Sequence, residues 1–179
     1  MASKLRTNYL PEIAALTLGR SKPSMVTVNL TDRCNQNCIY CEIGKKHTPT
    51  GSDPLERTDL IWIIDQMAIH KIHKISLCGG EPFLFEGIFD IVAYAKRKNV
   101  KCTITSNGMT IHQMEEKELK VLKESKTLIN ISVDSFDQKI QSLTRGADSA
   151  LSNALKSIET LTKYGIPLTL LTVISKYNY

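Results

Sequence analysis

Residues 31–44 read TDRCNQNCIYCEIG and place Cys34, Cys38 and Cys41 in a C-x3-C-x2-C run. Thiolates are soft donors that select zinc, copper or iron–sulfur clusters over hard cations. A structural zinc site closes with four protein ligands. The candidate fourth ligand is His47, six residues after Cys41, a wider gap than the usual finger pairing. A four-iron cubane normally takes four thiolates. Three would leave one iron open, and an open metal position belongs to chemistry more often than to scaffolding. The spacing alone leaves both readings standing.

Three further clusters could meet a ligand. In CGGEP (78–82), two glycines allow close backbone approach, Glu81 can accept from an ammonium group or a ribose hydroxyl, and Pro82 fixes the exit of the turn. The plain alternative is a strand-to-helix turn. In TSNG (105–108), Ser106 is a candidate contact, while Asn107-Gly108 is by default a turn dipeptide. In SVDS (132–135), Ser132 and Asp134 alternate with Ile131 and Val133, so both should face one side of a strand. Buried there they need partners, either a ribose diol or amino-acid group, or each other's network. Cys78 and Cys102 sit singly in apolar runs and read as small buried hydrophobes.

The elements that must position these residues follow from periodicity. SMVTVNL (24–30), KISLC (74–78), VKCTITS (100–106), LINISVD (128–134) and LTLLTVIS (168–175) read as strands, apolar enough for burial on both faces. Between them lie helical periods. One carries Leu60, Ile64, Met67 and Ile72, capped by Thr58 or Asp59. Two more follow the second and third strands. The last carries Leu151, Ala154, Leu155, Ile158 and Leu161, with Asp148 as N-cap and Gly165 as C-terminal cap. The order β-α-β-α-β-α-β-α-β predicts a parallel sheet. Periodicity does not choose between a doubly wound sheet and an α/β barrel. All four polar clusters fall at C-terminal strand ends, where parallel α/β folds bind ligands.

The chain of 179 residues suits one domain, divided here as an N-terminal extension (1–24) and a core (25–179). No apolar run is long enough to span a bilayer, and the N-terminus has no signal core. The net charge of +5 is spread along the chain, so a nucleic-acid partner is not expected. The expected compartment is the reducing cytoplasm, where cysteines serve as metal ligands or free thiols. A last strand without a covering helix suggests a piece of a longer protein.

CNQNCIYC, followed one βα unit later by GGEP and then by SNG and SVDS in order, resembles the radical SAM superfamily over about residues 25–175. The resemblance implies an α/β fold, a partial (βα)6-type TIM-like barrel of which about five parallel strands are present. It implies a four-iron, four-sulfur ([4Fe-4S]) cluster on Cys34, Cys38 and Cys41, with S-adenosylmethionine on the fourth iron. Reductive cleavage of the sulfonium would give a 5′-deoxyadenosyl radical that abstracts hydrogen from a substrate the sequence does not name. An electron donor such as a flavodoxin or ferredoxin would serve it. By resemblance Tyr40 lies near the adenine, and Gly79, Gly80 and Glu81 meet the methionine amino group. Ser106 is the contact on strand three, Ser132 and Asp134 lie near ribose and methionine, and Arg145 faces the methionine carboxylate. The alternatives are a zinc-stabilised binding module and a truncated, non-catalytic cluster-binding fragment.

Overall fold

The computed structural model describes residues 23–45, 53 and 55–179. Five strands form the sheet: β1 (Val26–Asn29), β2 (Lys74–Cys78), β3 (Lys101–Ser106), β4 (Leu128–Ser132) and β5 (Leu168–Leu171). All neighbours are parallel and the spatial order is the chain order, β1 to β5. A doubly wound sheet reverses its strand order at a switch point. This one never reverses, so the fold is the open α/β barrel.

Among the described residues the helices are α1 (Glu42–Lys45), α2 (Arg57–Ile69), α3 (Ile88–Arg97), α4 (Glu116–Ser125), α5 (Gln138–Arg145) and α6 (Ala150–Tyr164). Two short 3-10 turns, Pro82–Leu84 and Ile111–Gln113, follow β2 and β3. The N-caps differ from those expected. α2 is capped by Glu56, whose amide donates to Asp59 Oδ2 at 2.8 Å, because Asp59 sits at the third helical position and reaches back. α6 is capped by Ser149 rather than Asp148, and Gly165 closes it in the left-handed conformation at φ 67°. The helical pattern did not anticipate α1 or α5. In α5, Asp137 accepts from the amides of Lys139 and Ile140, and Gly146 ends the helix at φ 64°.

The strands are not apolar on both faces. Ile75, Leu77, Cys102, Ile104, Ile129 and Ile131 are buried. They pack with Leu60, Ile64 and Met67 of α2, Ile91 and Val92 of α3, Leu122 of α4 and Leu161 of α6 in one core. The alternate positions, including Ser76, Cys78, Thr103, Thr105, Asn130 and Ser132, are only half-buried. One face carries the core and the other is polar. β5 is shorter than LTLLTVIS because the Val173 amide turns to the Asp134 carboxylate at 2.9 Å instead of extending the ladder. Leu170, Leu171, Val173 and Ile174 stay exposed. Among the described residues no helix is long and apolar enough to cross a membrane.

Candidate metal and cofactor site

The cysteine loop leaves β1 and crosses the C-terminal ends of the strands. It is stitched first to the end of β2, where the Gly80 amide donates to Thr31 O at 2.6 Å and the Glu81 amide to Arg33 O at 2.7 Å. These contacts explain the two glycines. A Cβ on Gly79, which has φ 139°, would lie 2.5 Å from Thr31 O, and one on Gly80 would lie 2.1 Å from Arg33 O. Both are closer than a methyl group tolerates. The close approach is therefore to the cysteine loop itself. Asp53 adds a second tie. It accepts from Arg33 Nε at 3.1 Å, Arg33 Nη2 at 2.7 Å and the Thr31 hydroxyl at 2.5 Å, a fork pairing that fixes both side chains.

Glu81 is fully buried and its carboxylate is engaged within the protein. Ser106 Oγ donates to Oε1 at 2.9 Å, the Phe83 amide to Oε1 at 3.2 Å and the Asn107 amide to Oε2 at 2.8 Å. Ser106 Oγ in turn accepts from the Gly108 amide at 3.0 Å. Asn107 Nδ2 then reaches Asn35 Oδ1 at 2.6 Å and Cys34 Sγ at 3.7 Å. One carboxylate thus joins the ends of β2 and β3, and Asn107 carries that tie to the first cysteine.

Burial pushes the Glu81 carboxyl up from 4.5 to about 7, against the pull of its three donors. A raised acid binds its proton more tightly folded than unfolded, so stability falls as pH rises through that window. Relative to a Glu81→Gln chain, wild-type stability is expected to decline between about pH 4.5 and about pH 7. Urea midpoints of both chains across this range check it, and parallel profiles would contradict it.

Asp134 is the second hub and is 5% exposed. Tyr40 Oη donates to Oδ2 at 2.6 Å. Arg145 Nη2 donates to Oδ1 at 2.6 Å, and the Val173 amide to the same oxygen. Arg145 also lies over the Tyr40 ring, 5.6 Å from its centroid. At 6% exposure, Arg145 is a buried ion-pair partner and not a solvated surface charge. The C-terminus of α5 holds the loop from the same side. The Ile39 amide donates to Thr144 O at 3.1 Å, and a Cβ on Gly146 would lie 2.0 Å from Asn37 O. Gln141, fully buried, accepts the Asp134 and Ser135 amides at 2.8 and 3.1 Å. Gln141 Nε2 also donates to the Ser132 carbonyl at 3.5 Å, while the Ser132 side chain stays half-buried on the polar face beside Leu171.

Cys34, Cys38 and Cys41 are free and half-buried. Burial pushes the Cys34 and Cys38 thiols up, and the Arg145 guanidinium pulls Cys38 back in part. Thiols held up by burial become thiolates when a cation binds them. Beside them, Gln36 Nε2 and Arg145 Nε are buried donors without an acceptor among the described residues, and such groups call for one. Among the described residues no three His, Cys, Asp or Glu side chains converge on one metal ion. The thiols and the two orphan donors fit a cluster with an anionic group at its open iron. His47 lies outside the described residues.

The structure brings Cys34, Cys38, Tyr40, Glu81, Ser106, Asp134 and Arg145 into two linked hubs around the loop, with Gly79 and Gly80 as its contact surface. Sequence reasoning missed Asn107, Gln141, Gln36 and the Arg33–Asp53 fork. Only α5 had a signal, an Asp before and a Gly after eight residues. Cys102 is buried as expected, and burial pushes its thiol up to about 12. Cys78 is not fully buried. It lies on the polar face of the sheet and donates to Asn29 Oδ1 at 3.0 Å.

The sequence profile of the radical SAM superfamily matches residues 28–179. GTP 3′,8-cyclase of Clostridium botulinum (strain Okra) is 31% identical over 160 residues, covering 87% of this chain and 49% of that relative. Fe-coproporphyrin III synthase of Methanosarcina barkeri is 28% identical over 163 residues, 91% of this chain and 40% of that relative. Streptococcus suis SuiB bound to S-adenosylmethionine shares the fold, with a TM-score of 0.74 at 20% identity over 94% of this chain and 39% of that one. So does anSMEcpe with bound AdoMet and a peptide, with a TM-score of 0.67 at 22% identity over 84% of this chain and 43% of that one. The chain spans about half the length of the curated GTP 3′,8-cyclases it matches. With the cysteine loop, the GGEP turn and the parallel sheet arranged around one site, the chain belongs to the radical SAM superfamily, whose members use a four-iron cluster and S-adenosylmethionine.

Proposed function

We propose that this chain is the core of a radical SAM enzyme, in which Cys34, Cys38 and Cys41 hold the cluster. The observation that supports it most is the pair of buried carboxylates, Glu81 and Asp134, that tie three strand ends to one three-cysteine loop, with orphan donors beside it. When bound, the cluster and S-adenosylmethionine supply an electron and a sulfonium whose reductive cleavage yields a 5′-deoxyadenosyl radical.

The chain's own residues bind and orient. The Gly80 and Glu81 amides are engaged by the loop. Carbonyl oxygen is then what the GGE turn offers a ligand, and an ammonium group such as that of methionine takes acceptors. Arg145, held by Asp134, keeps Nε for an anionic group such as the methionine carboxylate. Tyr40 presents a ring steadied by Asp134 and Arg145 for stacking with the adenine. Glu81 and Ser106 act through the loop and turn they position. Ser132, half-buried on the polar face of the sheet, would offer its hydroxyl to the ribose. An external one-electron donor of flavodoxin or ferredoxin type would reduce the cluster in a reducing, cytoplasmic compartment.

Two relatives, a GTP 3′,8-cyclase and an Fe-coproporphyrin III synthase, differ in substrate. The shared core therefore sets where the radical forms, and the substrate is set elsewhere in the site. Replacing Cys38 with Ala is expected to abolish iron loading after anaerobic reconstitution. Cys102→Ala should load like wild type, at about 1 kcal/mol of lost packing. Iron and sulfide analysis of both chains is the check, and equal loading would overturn the ligand assignment.

A further inference from the structure

Two buried side-chain amides border the cysteine loop, those of Asn107 and Gln36. Asn107 lies just past the end of β3. Glu81 Oε2 accepts its backbone amide at 2.8 Å, and its own Oδ1 accepts the Met109 amide at 3.0 Å. Only an oxygen can take the Met109 N–H, so that bond fixes which end of the Asn107 side chain is which. Nδ2 therefore faces the loop. It donates to Asn35 Oδ1 at 2.6 Å and to Cys34 Sγ at 3.7 Å, which uses both of its hydrogens. Burial raises the Cys34 thiol, and hydrogen bonds from the Gln36 backbone amide and from Asn107 oppose it.

Gln36 lies between the first two cysteines. Cys38 Sγ donates to its Oε1 at 3.8 Å, while Nε2 has no acceptor among the described residues. This orientation suits a thiol. A cysteine bound to iron has given up its proton and can only accept. Oε1 would then set one acceptor against another. Exchanging the two ends of the amide removes that conflict and gives Nε2 the acceptor it lacks. Both amides are neutral, so they supply donors without adding a charge beside the Arg145–Asp134 pair.

We propose that Asn107 and Gln36 are positioning residues that raise the reduction potential of the cluster, Asn107 by donating to the Cys34 sulfur and Gln36 by donating to the Cys38 sulfur. One electron from an external donor of flavodoxin or ferredoxin type adds one negative charge to the cluster and its thiolates. The donor is oxidised by that electron, and no bond forms or breaks. Hydrogen bonds to the sulfurs stabilise the added charge and so favour the reduced state. The inference rests on the radical SAM reading above and names two residues that tune the site it describes.

The test is a redox titration of the anaerobically reconstituted full chain without S-adenosylmethionine, followed through the electron paramagnetic resonance signal of the reduced cluster. Asn107→Ala and Gln36→Met should each lower the equilibrium constant for one-electron reduction about tenfold, which moves the midpoint down by about 59 mV. Asn35→Ala removes the Asn107–Asn35 bond and keeps the donor to Cys34, so its midpoint should stay near wild type. The apo Gln36→Met chain should be at least as stable in urea as wild type, because a buried unpaired donor is gone. A midpoint that stays or rises in either variant overturns the assignment of that residue. Asn35→Ala moving as far as Asn107→Ala overturns the role of Asn107, since loop structure then explains the shift. If Asn107→Ala does not load iron, Gln36→Met decides alone. If neither loads, the amides build the site rather than tune it, and the inference fails. A wild-type chain that loads the cluster while the variants leave its midpoint unmoved sinks this inference and spares the radical SAM reading. A wild-type chain that takes up zinc and no cluster sinks that reading and this inference together.

Discussion

Replacing Asp134 with alanine is expected to destabilise the apo chain by about 4 kcal/mol and to release the cysteine loop from the sheet. Asp134 and Arg145 have side chains 0% and 7% exposed, so removing one leaves the other's charge buried without compensation. Two further groups lose their acceptor at the same time, the Tyr40 hydroxyl and the Val173 amide. Tyr40 sits between Cys38 and Cys41, which is how a change at the end of β4 reaches the cysteine loop. Adding Arg145→Met to the alanine variant removes the stranded charge and should recover most of the loss. Tyr40→Phe alone should cost about 1 kcal/mol, one hydrogen bond at a half-exposed site. Urea unfolding of the four chains checks this. A single Asp134→Ala chain as stable as wild type would contradict the hub.

The second large effect is expected at Gly80. An added methyl would stand 2.1 Å from Arg33 O and 2.6 Å from Arg33 C. These are backbone atoms, and they cannot rotate away as a flexible side chain would. The loop must move, and the bonds from the Gly80 and Glu81 amides to Thr31 and Arg33 go with it. Gly80→Ala is expected to cost about 3 kcal/mol by overpacking and to suppress cluster loading more than the stability loss alone would. Gly165→Ala is the control, since a methyl there meets nothing within 4 Å. It should cost about 1 kcal/mol, from left-handed backbone strain, and leave loading unchanged. Equal iron content in the Gly80→Ala and Gly165→Ala chains would contradict the close-approach role.

What the sequence showed and what it hid divide by range. The cysteine spacing, GGEP, SNG and SVDS were readable, and so was their common placement at strand ends, because strands and helices leave local periods. The partners of these residues were not readable. Tyr40 and Asp134 are 94 positions apart, and Asn107 meets Cys34 across 73. Asn107-Gly108 is a turn dipeptide in any local reading, so its tie to Cys34 appears only when β1 and β3 are brought together. α5 was missed because its eight residues are mostly polar and only Ile140 and Leu143 mark a face. The polar face of the sheet was missed for a different reason. Ser, Thr and Cys are small or β-branched and fit strand patterns, so the alternation Ile75-Ser76-Leu77-Cys78 passed for an apolar run. The glycines of GGEP were expected to make room for a ligand, whereas they make room for the Thr31–Arg33 backbone.

The central claim is that three thiolates of one loop hold a four-iron cluster with one iron open to S-adenosylmethionine. Its most direct test is electron paramagnetic resonance of the anaerobically reconstituted, reduced full chain, recorded before and after adding S-adenosylmethionine. The account predicts about four irons per chain, as one cubane requires, with a reduced-cluster signal that shifts on addition. It predicts no such signal in Cys38→Ala. A colourless chain carrying one zinc, or a cluster signal indifferent to S-adenosylmethionine, would contradict it.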